Sequence, residues 1–543
     1  MTPGKGSAGA GQGGAMIGVS GWVRYTCVIA AAGAACFSAA AEAKWLRATS
    51  DHFVVYSNAG ETALRKTATQ LEQFDGVMRI LHRANTPPAE PGTNRVTVYV
   101  VDTASDVRKL MGKGSANVAG FYLPRVNGLI AFTPRSGGAD ANLKPEIVLF
   151  HEYAHHFLLG TFAAAYPAWF SEGYAEFVST ARFEKDGVMV GVAAQHRAYS
   201  LFKTRGLPAE RLFDTGSRRL SDEERGSLYA RGWLLTHYIM FDPARGATFG
   251  RYLDALNKGV PSVAAARAAF GDLRALDRAL DAYLARSTIP GIKIAYSRLP
   301  DPKITVEPLS AGAEALMPLR MESERGVNRQ TAQPIYTRAK TIAAAYPTDA
   351  VAQGWFAEMA YDAVQDDDAE AAADRALAAD PKMAQALLYK ARIHLRRASA
   401  ASTKDADAWK EARSWVVKAN RLAPDDAEAL SLYYDSFGAQ RTPPTKVAIT
   451  GVKRALELVP QDPGLRFKVA AQEIGDGDAE DAKRTLRPLA FNPHLPADNP
   501  AARLITILES GKIGPEALRS LGQAQGQVQG PGQDGAAETP PAG

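Results

Sequence analysis

Two histidines on one turn of a helix are the residues in this chain best spaced to do chemistry. The segment Glu146-Ile-Val-Leu-Phe-His151-Glu152-Tyr-Ala-His155-His156 contains H-E-x-x-H in an apolar stretch. Residues four apart share a helical face, so the imidazoles of His151 and His155 can reach one metal ion. Glu152 projects beside them, where it can take a proton from a metal-bound water. With 9 histidines in 543 residues, a chance match anywhere has a probability of roughly 0.007, which favours function. Catalytic zinc takes three protein ligands and keeps a fourth position open, so the pattern calls for one more. Glu172, in Trp169-Phe-Ser-Glu172-Gly173-Tyr-Ala175-Glu176, follows His155 after 16 intervening residues, enough for a helix to end and a second to return antiparallel. Glu176 comes one turn later and is expected to accept the outer N–H of a ligating histidine, which fixes its tautomer. The expected metal is Zn2+, held by His151, His155 and Glu172.

These side chains need elements to position them. From Lys44 to about Arg286 the pattern is mixed α/β. His52–Ser57 and Arg95–Asp102 read as strands, with Gly120–Tyr122 and Leu129–Phe132 as further strand candidates. Apolar residues at three- and four-residue spacing predict a helix over Glu61–Leu81, and Ala104–Met111 reads as a short helix. The helices that carry the chemistry are predicted over Pro145–Leu159 and Pro167–Ala181, followed by Ser227–Phe241. The segment around Phe121-Tyr122 is a candidate sheet edge able to pair with an extended peptide. His156 points about 100° away from His155 and reads as packing or hydrogen bonding. His52, His82, His196, His237, His394 and His494 stand alone in the sequence and read as satisfied or surface residues, while Trp169 and Trp233 read as core.

Residues 291–309 read as a linker, after which alanine-rich helical pairs are punctuated by proline. Measured at Pro347, Pro381, Pro424, Pro460 and Pro493, the intervals are 34, 43, 36 and 33 residues. Asp374-Arg-Ala-Leu-Ala-Ala-Asp-Pro381 and Lys453-Arg-Ala-Leu-Glu-Leu-Val-Pro460 resemble the second-helix ends of tetratricopeptide (TPR) repeats, whose period is about 34. The long interval contains Ala398–Lys404, which reads as a loop insertion.

At His151, Glu152, His155 and Glu172 the chain resembles the gluzincin clan of metallopeptidases. Trp169-Phe-Ser-Glu172-Gly-Tyr-Ala175 is similar to the aminopeptidase-type W-x-x-E-G-x-A signature, and Glu176 falls on the acidic residue that follows the glutamate ligand in thermolysin-type enzymes. The resemblance implies an α+β thermolysin/aminopeptidase-like zincin domain over residues 44–290, followed by an all-α TPR-like solenoid over 310–515. It implies a zinc metallopeptidase in which Glu152 is the general base and Tyr229, on a later helix, supports the oxyanion. The repeats would then recruit a peptide or protein substrate or a protein partner. The alternative is a catalytically inactive, peptidase-like scaffold that acts through protein binding by its repeats.

Charge names no partner. The 63 basic and 58 acidic residues nearly cancel, and no basic arm of the kind that binds nucleic acid is present. At the start, Arg24, an apolar stretch and Ala41-Glu42-Ala43 have the layout of a signal peptide over residues 1–43, with Met16 a possible true start. Cleavage there would leave no stable transmembrane segment and remove both cysteines, Cys27 and Cys36. The expectation is an exported protein of the bacterial periplasm whose chemistry falls to histidine and glutamate. The stretch 516–543 is too poor in apolar residues to fold.

Overall fold

A computed structural model of the chain describes residues 44–519, apart from 85–93, 113–117, 137–142, 163, 205, 217, 219, 493–494, 497, 513 and 515. The expected signal peptide with its two cysteines, His494, and the tail from residue 520 lie outside the described residues. No helix among those described is long and apolar enough to cross a membrane.

Strands β1 (Leu46–Thr49), β2 (Phe53–Ser57), β3 (Val96–Thr103), β4 (Phe121–Arg125), β5 (Gly128–Ser136) and β9 (Thr305–Pro308) form a mixed sheet in the order β4-β5-β3-β2-β1-β9. Strands β2, β3 and β5 are parallel neighbours. Parallel pairing needs a crossover, supplied by helix α1 (Glu61–His82) between β2 and β3. Strands β6 (Arg182–Phe183), β7 (Gly187–Val190) and β8 (Ile292–Ala295) make a small second sheet. Residues 291–309 are therefore more than a connector: they supply β8 to the small sheet and β9 to the edge of the large one. Periodicity could not reveal this, because a four-residue edge strand is too short to show a pattern.

Alternation along the strands sends side chains to opposite faces. On one face Phe53, Val55, Val98 and Ala131 pack with Leu71 and Phe74 of α1 and with Phe150 and Tyr153 of α3 (Pro145–Thr161), which follows α2 (Ala104–Met111). Phe74 stacks on Phe150 with ring centroids 4.3 Å apart. On the other face Tyr56, Tyr99, Phe132 and Phe121 form a ladder across four strands, with centroid separations of 5.3, 5.1 and 4.7 Å. The cover for this second face comes from the repeats.

Beyond α4 (Ala168–Ser179) and the short helices α5 (Ala198–Phe202) and α6 (Ala209–Leu212), helix α7 (Asp222–Met240) starts five residues before its expected position. Ser221 and Glu224 form a reciprocal capping box there that accounts for the earlier start. Helices α8 (Pro243–Asn257), α9 (Ser262–Phe270) and α10 (Leu273–Leu284) close the first half.

The second half is a helical TPR-like solenoid of antiparallel pairs: α11 (Ala311–Glu324) with α12 (Arg329–Ala344), α13 (Ala350–Asp362) with α14 (Asp366–Ala379), α15 (Ala384–Ala400) with α16 (Ala406–Leu422), α17 (Ala427–Gln440) with α18 (Lys446–Leu458), and α19 (Pro463–Asp476) with α20 (Ala479–Ala490), ending at α21 (Pro500–Glu509). Buried alanines such as Ala339, Ala357, Ala372 and Ala419 let the helices pack closely. The proline turns fall between pairs, where Asp349, Asp426 and Asp462 cap the next helix by accepting a backbone N–H. The 43-residue interval is not a loop insertion over Ala398–Lys404. Helices α15 and α16 are each 17 residues long, against 13 and 14 in the preceding pair. Ala398 remains helical because it is buried with Leu395 against Trp409 and Ala412.

The repeats both cover the sheet and return to it. Leu316 and Met317 of α11 and Trp355 and Phe356 of α13 pack on the aromatic ladder, with Trp355 edge-on to Tyr56. Farther along, Ala427, Val452, Val459 and Leu465 join the core on the opposite face. Because one core spans both halves, Trp355→Ala should cost about 3–5 kcal/mol. It should lower the denaturation midpoint of the whole chain in one transition, followed by circular dichroism and by fluorescence; separate transitions for the two halves would contradict the shared core.

Candidate metal centre

Helix α3 begins with Pro145 at its first turn, where no donor is lost, and presents His151 and His155 on one face. Helix α4 returns beside it and brings in Glu172. The Nε2 atoms of His151 and His155 lie 3.2 Å apart, and Glu172 Oε2 lies 3.3 Å from the first and 3.6 Å from the second. Tetrahedral zinc with bonds near 2.0–2.1 Å separates its ligands by about 3.3 Å. The donor set and its spacing therefore fit Zn2+: two imidazoles and one carboxylate around one point.

Glu172 and Glu176 are almost wholly buried, at 1% and 2% exposure. Glu176 Oε1 lies 3.3 Å from His151 Nδ1, so a proton there leaves Nε2 free to face the centre. Ser171 Oγ stands 3.2 Å from His155 Nδ1 in the same sense. Burial opposes a charge on the His151 ring, but hydrogen bonds to Glu172 and Glu176 and their charges prevail and push its pKa up to about 10. In other words, the pocket attracts positive charge. Burial also works against the Glu176 carboxylate, yet Arg197 foremost, with His151 and His196, holds its pKa well below the usual range. His196 Nε2 and Arg197 Nη2 donate to it at 2.6 and 2.8 Å.

Tyr229 on α7 is buried with its ring 6.0 Å from that of His151 and the Arg197 guanidinium 4.7 Å from its own centroid. Burial, and next the charge of Glu172, raise its phenol well above its ordinary pKa, so it stays a neutral donor. Its placement depends on the α4–α7 crossing, where the two backbones approach closely. A Cβ on Gly173 would fall 2.2 Å from the main chain of Gly232, and one on Gly232 would fall 2.5 Å from the Trp169 carbonyl oxygen. Glu152 follows His151 on α3, and its charge bears on both Tyr122 and Tyr229.

Several neighbours of the centre were not legible in sequence. His196, read as isolated, is buried on Glu176, and Ser171 and Arg197 gave no signal because a hydrogen-bond partner 16 to 21 residues away follows no period. His156 faces away from the centre; burial pushes its pKa down to about 3, and its Nδ1 accepts from the Tyr122 hydroxyl at 2.7 Å. Tyr122 lies on β4, which forms one edge of the large sheet. Gln461, in the turn before α19, donates to the His156 carbonyl at 2.8 Å. A Cβ at Gly160 would come within 2.6 Å of its amide, so the glycine leaves room for the side chain as it stands. The other described histidines have partners of their own: His82 with Tyr174, His237 with Tyr283, and His394 with Glu370. A second cluster, His52, Glu72 and Asp75, has ligand-like spacing. Arg79 already supplies its cation, donating to Asp75 at 2.5 Å and lying 3.1 Å from His52.

Comparison with known proteins corrects the resemblance drawn from the motif. No family model and no curated protein matches the chain. Among solved structures it is similar to TTC0263, a thermophilic TPR protein of Thermus thermophilus, at 17% identity over 30% of this chain and 84% of that chain, with a TM-score of 0.25. It is also similar to YrrB, a TPR protein with an unusual peptide-binding site, at 18% identity over 35% of this chain and 92% of that one, with a TM-score of 0.26. These neighbours are repeat proteins. The TPR-like solenoid stands, whereas the gluzincin family, its thermolysin/aminopeptidase-like zincin domain and the zinc metallopeptidase reading built on them do not.

The structure supplies a physical reason why the motif misled. Trp169 is fully buried among Phe213, Phe249 and Tyr252, Gly173 serves the helix crossing, and Ala175 is core. Most of the W-x-x-E-G-x-A pattern is thus demanded by packing, whatever the chemistry nearby. Gly173→Ala should accordingly lower stability by about 1–3 kcal/mol, measured by denaturant unfolding, and a variant as stable as the parent would disprove the close crossing.

Proposed function

We propose that the chain is a protein-binding repeat scaffold with a built-in Zn2+ centre, exported to the bacterial cell envelope. The observation that carries the scaffold reading is the stack of helical pairs, whose first helices are joined to one another by polar contacts. Arg320 of α11 meets Glu358 of α13 at 2.6 Å, Gln385 of α15 also reaches Glu358 at 2.6 Å, and Tyr434 of α17 donates to Gln472 of α19 at 3.0 Å. Stacked repeats of this kind offer extended surfaces to peptides and partner segments. Peptides selected from a random library against the full chain should, on binding, slow hydrogen exchange within residues 311–490. Protection confined to α3 and α4 would refute the scaffold reading.

His151, His155 and Glu172 would hold the zinc, with Glu176 and Ser171 orienting the rings. Purified protein should contain about one equivalent, measured by elemental analysis. His155→Ala should lose it, and Glu176→Gln should bind zinc roughly 10–100-fold more weakly.

Hydrolytic chemistry at this centre is a second reading, favoured by the placement of Glu152 and Tyr229 about it. Bound zinc would supply a Lewis acid that polarises the bond under attack. Glu152 would accept the proton of the attacking water, and Tyr229 would donate to the developing oxyanion. A panel of nitrophenyl esters and phosphates tests this reading: turnover should vanish in Glu152→Gln while zinc stays bound, and turnover unchanged in that variant would refute it.

A further inference from the structure

The third and fourth repeats carry a feature that the row of first helices does not explain. Between α16 and α17 lies a groove of about 530 Å3 lined on one side by Lys410, Arg413, Lys418 and Arg421, with Tyr433 and Phe437 on the other, and no lining residue is acidic. Lys410, Lys418 and Arg421 are exposed. Among the described residues none of the four makes an ion pair. Arg413 is held against the Phe437 ring, 4.4 Å from its centroid, and bonds only to the neutral Gln440 amide, at 2.9 Å. Lys418 lies 3.7 Å from the Trp415 centroid. The nearby carboxylate of Glu411 faces His394 instead, at 3.9 Å.

Cations on the neighbouring helices are paired with carboxylates. Arg392 pairs with Glu428, Arg396 with Asp366, Lys390 with Asp374 and Lys468 with Asp435. What sets this groove apart is that four cations without an ion pair gather around one aromatic floor. A cluster of like charges costs self-repulsion unless a counter-charge relieves it.

We propose that this groove docks an acidic segment of a partner protein in extended conformation. Resting on the scaffold reading, the proposal adds the partner's chemistry and its place on the repeats. From Lys410 to Arg421 the helix rises about 16 Å, the length of about five extended residues. Carboxylates of the segment lie along the basic side, and an apolar or aromatic residue among them rests on Tyr433 and Phe437.

The test uses the full chain and a fluorescein-labelled Glu-Glu-Phe-Glu-Glu peptide, with Lys-Lys-Phe-Lys-Lys as its charge-reversed control, followed by anisotropy. The acidic peptide should bind, the basic one should not, and binding should weaken as salt approaches 1 M, where screening acts within about 3 Å. The double variant Lys410→Glu/Arg421→Glu should lose at least tenfold in affinity, whereas Arg329→Glu on α12 should lose none. All substituted side chains are exposed, and a thermal melt matching the parent shows that the fold is kept. Equal affinity for both peptides, or an unchanged affinity in the double variant, overturns the proposal. If library-selected peptides still protect the repeats from exchange in that case, the scaffold reading survives and only the acidic segment falls.

Discussion

A sheet that is apolar on both faces needs two covers, and the architecture follows from where the second one comes from. Helices α1 and α3 cover the first face. The ladder of Tyr56, Tyr99, Phe132 and Phe121 on the second face has only the short α2, through Val107, beside it from its own half, and α11 and α13 supply the rest of the cover. The first repeats are thereby a layer of the α/β domain as much as the start of a solenoid. Parallel strands buried on both faces are the expected partners of such a two-sided cover. The contact is large and aromatic, so the two halves share one core instead of meeting across a polar interface.

The metal-centre geometry is a further consequence of packing. Helix α3 is pinned from the sheet side by Phe150 and Tyr153, from β4 by Tyr122 on His156, and from the returning repeats by Gln461. Helix α4 is pinned by its crossing with α7, where two glycines let the backbones touch. His151, His155 and Glu172 converge because both helices are held by packing on several sides. The contrast with His52, Glu72 and Asp75 is informative. That cluster has similar residue types and spacing, but Arg79 is built into it and pairs with Asp75, while Glu72 bonds to His52. Around His151 the nearest guanidinium, Arg197, is spent on Glu176 and on the Tyr229 ring, which leaves Glu172 directed at the two imidazoles.

The motif reading illustrates how much of a signature can be packing. H-E-x-x-H needs only a helix to bring its two imidazoles together, and that local consequence holds in the structure. The longer pattern around Glu172 carried the family resemblance, but its tryptophan, glycine and alanine are required by the α4–α7 contact and the core around Tyr252. Such residues recur wherever two helices pack closely, in repeat proteins as in enzymes, so they do not discriminate between families.

Local order was legible in the chain. Helical periodicity located α1 and α3 to within a residue or two, the prolines located the turns between repeat pairs, and the i, i+4 spacing placed His151 beside His155, because each rests on interactions within a few residues along the chain. Long-range placement was not legible. That 305–308 forms an edge strand beside 46–49, that His196 and Arg197 neutralise Glu176, and that a turn at 461 grips α3 all depend on partners tens to hundreds of residues apart. The 398–404 stretch shows the same limit at short range: its alanine and serine read as a loop, yet the burial of Ala398 against Trp409 made part of it helix. By itself the sequence determined which residues could ligate a metal. Tertiary packing decided which of them meet, because only burial between fixed helices can hold two imidazoles and a carboxylate at ligand spacing against their preference for water.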